Sequence, residues 1–187
     1  MKFSSDIDID FADRNLILEH IDYVTASIRD ETVKKHNTGI YVTDIPYDPL
    51  TDLAAIDYVE AENRGYIKFD LLNVFVYKQV TSEAHLLELM KEPDWSLLKN
   101  REFVEKIIHI GNHYDTILSM SGEIDSILKM AMFLSVIRPG KKHLIGIPWN
   151  ELEKKIWVKD GDGYFFKKAH AISYAHLVAV HMNLLSG

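Results

Sequence analysis

Near the N-terminus polar and apolar residues alternate strictly, in the order Asp6, Ile7, Asp8, Ile9, Asp10, Phe11. Successive side chains of a β-strand point to opposite faces, so the run predicts a strand with three aspartates on one face and Ile7, Ile9 and Phe11 on the other. After Asp13, a residue type suited to capping, the spacing of Ile17, Ile21, Val24 and Ile28 predicts a helix to about Val33. Residues 34–39 break that pattern, and Ile40, Tyr41, Val42 and Thr43 predict a short strand. Pro46 and Pro49 mark a loop, and residues 66–70, following Gly65, predict another strand. The apolar run from Leu71 fits either an extension of that strand or the start of a helix.

The remainder reads as helical. Ser82 caps a predicted helix through Leu86, Leu87, Leu89 and Met90 that stops before Pro93. Phe103, Val104, Ile107 and Ile108 predict a short helix ending near Gly111. Ser121 starts a further one, with Ile124, Ile127, Leu128 and Leu134 inward and Arg138, Pro139 and Gly140 as its stop. Asp160, Gly161, Asp162 and Gly163 predict a turn, and residues 168–185 a last helix. The expected fold is α+β: a small mixed sheet in residues 1–80 and a mostly helical region in residues 81–187. With no internal repeat or clear linker, residues 1–187 are expected to form a single domain.

Composition narrows the setting. The chain has no cysteine, which excludes disulfides and thiolate metal sites and makes a reducing cytoplasm the expected location. No stretch approaches ~18 uninterrupted apolar residues, so no membrane span is expected. No apolar signal-peptide region precedes Asp6. The net charge of −7 argues against a surface that coats nucleic acid as a whole, leaving only short basic strips at residues 141–143 and at Lys167 and Lys168. Both strips read as solvated surface.

Three like charges on one strand face repel unless something neutralises them. Oxygen-only ligands of this kind suit a hard cation such as Mg²⁺ or Mn²⁺. An Asp-x-Asp strand is one way to hold the two ions of phosphoryl or nucleotidyl transfer. The competing reading is a solvated edge strand whose charges block aggregation. Lys68 and Asp70 are expected on one face of their strand, where a lysine beside a metal-bound carboxylate can neutralise a triphosphate. Taken alone, Lys68-Phe69-Asp70 is ordinary strand surface. His20, His85, His109, His113, His143, His176 and His181 show no zinc-ligand spacing and read as surface or satisfied core positions. Trp95, Trp149 and Trp157 read as anchors of the core.

Order and wording add a resemblance. Residues 6–11 resemble the Pro-Asp-Ile-Asp-Ile-Asp-Phe palm motif of the bacterial replicative DNA polymerase III alpha subunit, and Asp13-Arg14-Asn15 follows where that family has an Arg-rich helix. Residues 36–42, His-Asn-Thr-Gly-Ile-Tyr-Val, are similar to the family's His-Ala-Ala-Gly-Val-Val-Ile. Residues 65–72 resemble Gly-Leu-x-Lys-Phe-Asp-Phe-Leu. Residues 124–127 leading to Arg138-Pro139-Gly140 resemble the family helix that ends in Arg-Pro-Gly. Residues 166–174 resemble Phe-Asn-Lys-Ser-His-Ala-Ala-x-Tyr. The matches run in the family's order over roughly residues 5–180.

The resemblance implies a nucleotidyltransferase palm followed by part of the fingers. It assigns Asp8, Asp10 and Asp70 to catalysis and to two Mg²⁺ or Mn²⁺ ions, with Asp6 supportive. It assigns Lys68, Arg138, Lys168 and His170 to the substrate. The implied partners are a deoxynucleoside triphosphate, primer-template DNA and other replication proteins, with no membrane. Departures are as informative: no Gly-Ser triphosphate loop stands ahead of Asp6, the interval between the two palm motifs is compressed, and the remaining domains of that family have no counterpart. Ala169 and Lys167 stand where the family has serine and asparagine. The expected function is that of a minimal DNA polymerase. The alternatives are a non-catalytic replisome accessory or decoy built on a polymerase palm, and a nucleotidyltransferase with a non-DNA acceptor.

Overall fold

The computed structural model describes residues 6–159 and 166–187, so the turn expected at residues 160–163 lies outside the described residues. The fold is α+β, and the chain divides into two compact units, Met1–Gln79 and Val80–Gly187.

The first unit is built on a mixed six-stranded sheet. Its elements are β1 (Asp6–Phe11), α1 (Asn15–Leu18), β2 (Val24–Arg29), β3 (Val33–Tyr41), β4 (Tyr47–Asp48), β5 (Leu53–Asp57), α2 (Tyr58–Asn63) and β6 (Lys68–Asn73). The strand order is β1-β6-β3-β2-β5-β4, with β1 parallel to β6, β2 parallel to β5 and the other neighbours antiparallel. The alternating run therefore forms an edge strand, and residues 71–73 extend the Lys68 strand rather than opening a helix.

The helix expected over residues 13–33 is not formed. Only residues 15–18 are helical, and Val24 to Tyr41 make the β2–β3 hairpin. The four-three-four spacing of Ile17, Ile21, Val24 and Ile28 coincides with a helical stripe, but Val24, Thr25 and Ile28 are β-branched and favour a strand. The hairpin turn is set by Asp30, whose carboxylate accepts the Thr32 N–H at 3.0 Å.

β3 carries an irregularity that shapes the site. Thr25 pairs with Ile40 and Ser27 with Lys35, so the single residue Ala26 on β2 faces four residues, 36–39, on β3. The surplus residues bulge out of the ladder. Across the same point the buried Ser27 hydroxyl lies 2.8 Å from the Ala54 carbonyl and 2.9 Å from that of Ile56, sharing its proton between two β5 acceptors. A small core of Ala26, Tyr41, Ile45, Ala54 and Ala61 backs the sheet, and α2 contributes Ala61.

The second unit contains α3 (Glu83–Leu89), α4 (Arg101–Val104), α5 (Tyr114–Leu118), α6 (Ile127–Val136), α7 (Trp149–Ile156) and α8 (Lys168–Ser186). Ser82 caps α3 as expected, accepting the His85 N–H. The helix expected from Phe103 to Gly111 shortens to α4 followed by turns. The expected start at Ser121 moves to Ser126, whose hydroxyl caps α6, while Ser121 instead donates to the Ile147 carbonyl at 2.8 Å. α6 is buried on all sides from Met130 to Val136 and packs against α8, which supplies Ala171, Ala175, Val178 and Met182 to the core. Trp95, Trp149 and Trp157 pack against that core. His181 is a satisfied core histidine: its Nδ1 accepts the Ile108 N–H at 3.0 Å. Among the described residues no helix is long and apolar enough to cross a membrane.

Candidate functional site

The site begins with strand register. In the β1–β6 pair Asp8 stands opposite Asp70, and Asp10 opposite Leu72. Neighbouring partners in a ladder share a face, and residues two apart on one strand share it too, so Asp8, Asp10, Lys68 and Asp70 project from the same side. Adjacent strands lie roughly 4.8 Å apart, close enough for carboxylates on both to act on one ligand.

The two strands place these groups in different surroundings. Asp8 and Asp10 are exposed on the edge strand, whereas Lys68 and Asp70 are each only 8% exposed. Water lost on the protein side of Asp10, and secondarily the charge of Asp8, raise the Asp10 pKa above the ordinary carboxylate value. Tyr77, from the 3-10 turn Phe75–Gln79 after β6, is likewise raised by burial and then by the charge of Asp10. Negative potential thus accumulates along β1.

Asp70 is already engaged. Lys68 Nζ forms an ion pair with its Oδ2, and the Thr38 hydroxyl donates to its Oδ1 at 2.7 Å. The second contact comes from the β3 bulge. His36 Nδ1 accepts the Gly39 N–H at 2.9 Å and so closes the bulge, which turns Thr38 toward Asp70. Because that nitrogen is an acceptor it carries no proton, and the 3.7 Å approach of His36 Nδ1 to Asp70 Oδ1 is not a salt bridge. Burial, then the Lys68 charge, lower the His36 pKa against the opposing pull of Asp70, in keeping with a neutral ring. Gly39 sits opposite Asp70 in the β3–β6 ladder, and the space over it is filled: a Cβ there would lie 2.8 Å from Lys68 Cδ, 2.9 Å from His36 Nδ1 and 3.1 Å from Ala26 Cβ. The Lys68 stem therefore crosses β3 at the one position without a side chain, with its ammonium 5.8 Å from the centre of the Tyr58 ring. Arg14, just after β1, ties the same strands together by donating to the carbonyls of Asn37 at 2.7 Å and Leu71 at 3.3 Å.

The donor set fits a hard divalent cation in chemistry and in face. Among the described residues, however, no three of these groups are assembled as metal ligands. In this arrangement both Asp70 oxygens are held, Oδ2 by Lys68 and Oδ1 by Thr38.

The other expected substrate residues belong to the second unit. Arg138 follows α6 at the start of the 3-10 turn Pro139–Leu144, and its guanidinium lies 4.7 Å from the centre of the Phe166 ring. Phe166 stacks on Tyr174 at 5.7 Å, and His109 meets Tyr174 edge-on at 4.6 Å. His170 is 6.5 Å from Phe166. Lys168, in the first turn of α8, lies over Trp157 at 5.5 Å instead. Burial, then the Arg138 charge, lower the His109 pKa; burial, then Lys142 and Arg138, lower that of His113. Sequence reading missed His109 as a neighbour of Arg138. Its signal was faint, a histidine two residues before Gly111, and the structure shows it with a left-handed backbone (φ 66°). It missed the role of His36 and Thr38 as well, although residues 34–39 stood out as a break in pattern.

Compared with family models, curated proteins and solved structures, the chain gives no match. The functional reading therefore rests on the residues themselves.

Proposed function

We propose that the chain is a nucleotidyltransferase of the two-metal type, related to the polymerase III alpha palm and fingers, that adds deoxynucleotides to a primer end in the cytoplasm. The observation that carries this reading is the register of Asp8 against Asp70 on parallel neighbours, with Asp10 on the same face. Asp8 and Asp10 would hold the ions from the exposed edge, together with Asp70 on the buried strand. Bound there, Mg²⁺ or Mn²⁺ would supply Lewis acidity for the primer 3′-hydroxyl and the leaving pyrophosphate. Lys68 offsets phosphate charge beside the carboxylates. Arg138, Lys168 and His170 are proposed to contact phosphate oxygens of nucleotide or template, Arg138 with a planar fork suited to them.

One observation favours a second reading. Both Asp70 oxygens have protein partners, as they would in a non-catalytic replisome accessory or decoy that keeps a polymerase palm as scaffold. Primer extension in Mn²⁺ at low salt separates the two. The wild type is expected to incorporate deoxynucleotides, and Asp8→Asn to lose about a hundredfold or more of the rate. No incorporation and no triphosphate binding by the folded wild type would exclude the enzyme and leave the interaction protein. Incorporation of ribonucleotides, or transfer to an acceptor other than a primer, would keep the chemistry and replace the substrate.

A further inference from the structure

We infer that the second unit holds a binding site for a phosphate-class oxyanion, with Arg138 and His109 as its two buried donors and His113 and Lys142 beside them. The site belongs to the second unit alone, and only the assignment of its anion to a nucleotide rests on the nucleotidyl-transfer reading.

Chain geometry brings the four residues together. Pro139 disfavours helical conformation at the residue before it, so Arg138 leaves α6 with an extended backbone (φ −73°, ψ 148°). Lys142 follows in the 3-10 turn Pro139–Leu144. His109 lies between α4 and α5 with a left-handed backbone that non-glycine residues seldom adopt, and His113 stands at the start of α5. Tyr174 of α8 links the two segments. His109 meets its ring edge-on at 4.6 Å, Phe166 stacks on it at 5.7 Å, and the Arg138 guanidinium lies 4.7 Å from the centre of Phe166.

Two observations point to an anion. Arg138 Nε and His109 Nε2 are both hidden from solvent, and neither has a hydrogen-bond partner among the described residues. Buried polar atoms are nearly always paired, and a guanidinium N–H that has lost its water is costly to leave alone. The cations are also unopposed. The Arg138 charge lowers the pKa of both histidines and Lys142 adds to it at His113, while no carboxylate among the described residues raises either. The carboxylates closest in sequence to the histidines, Glu105 and Asp115, are both taken by Arg101. Lys68, by contrast, is buried together with its carboxylate, Asp70. An oxyanion answers both observations. Its oxygens accept from Arg138 Nε–H and from His109 Nε2 when that atom carries the proton, and its charge offsets Arg138 and Lys142. The Phe166 ring lies against the face of the guanidinium, and the N–H groups of a planar guanidinium lie in its edge.

Titration calorimetry with inorganic triphosphate in metal-free buffer tests the site. Wild type is expected to bind one equivalent, and Arg138→Met to lose about tenfold to hundredfold in affinity, the range for one charged hydrogen bond. His109→Asn, whose new side chain tolerates the left-handed backbone, is expected to lose about twofold to tenfold. If Arg138→Met does not fold, Arg138→Lys, which keeps the charge but neither Nε nor the planar fork, is expected to lose about tenfold. Displacement of inorganic triphosphate by dATP would assign the anion to a nucleotide, and binding of the inorganic anion alone would assign it to free phosphate; both support the site. No binding by the folded wild type, or an affinity that no substitution changes, would overturn it. Primer extension is read separately. Anion binding without extension would keep the site and count against the nucleotidyl-transfer reading, whereas extension without anion binding would do the reverse.

Discussion

Gly39→Ala probes the lane of Lys68 with a single methyl group. Gly39 does not adopt the left-handed backbone, so the backbone offers no objection to alanine. Restricting the unfolded chain would by itself stabilise the protein by roughly 0.4–1 kcal/mol. Space reverses the sign. The added Cβ would lie 2.8 Å from Lys68 Cδ, so that atom must retreat by about 0.6–0.7 Å to reach ordinary contact. His36 Nδ1 at 2.9 Å must also give way, which strains the hydrogen bond that closes the bulge, and Ala26 Cβ at 3.1 Å belongs to the buried core and has little freedom. Overfilling of this kind costs about 1–3 kcal/mol, so a net loss of roughly 1–2 kcal/mol is expected by urea unfolding at unchanged slope. A double-mutant cycle assigns the loss. In a Lys68→Ala background the closest neighbour is gone, and the cost of Gly39→Ala should fall by about 1 kcal/mol. A Gly39→Ala protein as stable as the wild type, or an equal cost in both backgrounds, would refute the arrangement of Lys68 over β3.

Three further outcomes follow from particular groups. His36, His109, His113 and His181 all have pKa values lowered from 6.5 by burial, so the folded chain resists protonation that the unfolded chain accepts. Their contribution to stability is present above pH 6.5 and lost as the pH falls below it toward the folded values, and a melting temperature no lower at about pH 5.5 than at about pH 7.5 would contradict this. The Tyr41 hydroxyl is buried without a hydrogen-bond partner among the described residues, and burial followed by the charges of Asp57, Asp70 and Glu62 pushes its pKa up to about 12. Tyr41→Phe should therefore leave stability unchanged or raise it by up to about 1 kcal/mol, measured by urea unfolding, where a clear loss would reveal a partner for the hydroxyl. Ser27→Ala should cost about 1–3 kcal/mol in the same assay, because two β5 carbonyls lose their shared donor at the strand irregularity.

The elements legible in the sequence were those with a local physical cause. Alternation alone set β1, and Lys68-Phe69-Asp70 set β6, because a period of two needs no information from elsewhere. The Ser82 cap and the long apolar α8 were legible for the same reason. Residues 24–41 misled because two periods overlapped. Apolar residues four, three and four apart satisfy a helix, while the cue for a hairpin was one aspartate that bonds a backbone N–H two residues on. Start positions slipped where several serines competed. Ser121 and Ser126 both suit a cap, and the Ile147 carbonyl, a partner from a distant segment, takes the first of them.

The candidate site divides along the same line. That Lys68 and Asp70 share a face follows from their spacing, and so does the common face of Asp8 and Asp10. That Asp8 meets Asp70 does not, because a parallel register joins strands about sixty residues apart and depends on everything between them. Least visible was the employment of Lys68. Sequence offers a lysine near an acidic cluster and suggests that its charge is available to a substrate. The folded chain commits that charge to Asp70, beside a bulge on β3 that ends in a glycine and is closed by a histidine. A buried ammonium held this way is available only by exchange, since neither partner tolerates isolation in a site so little exposed.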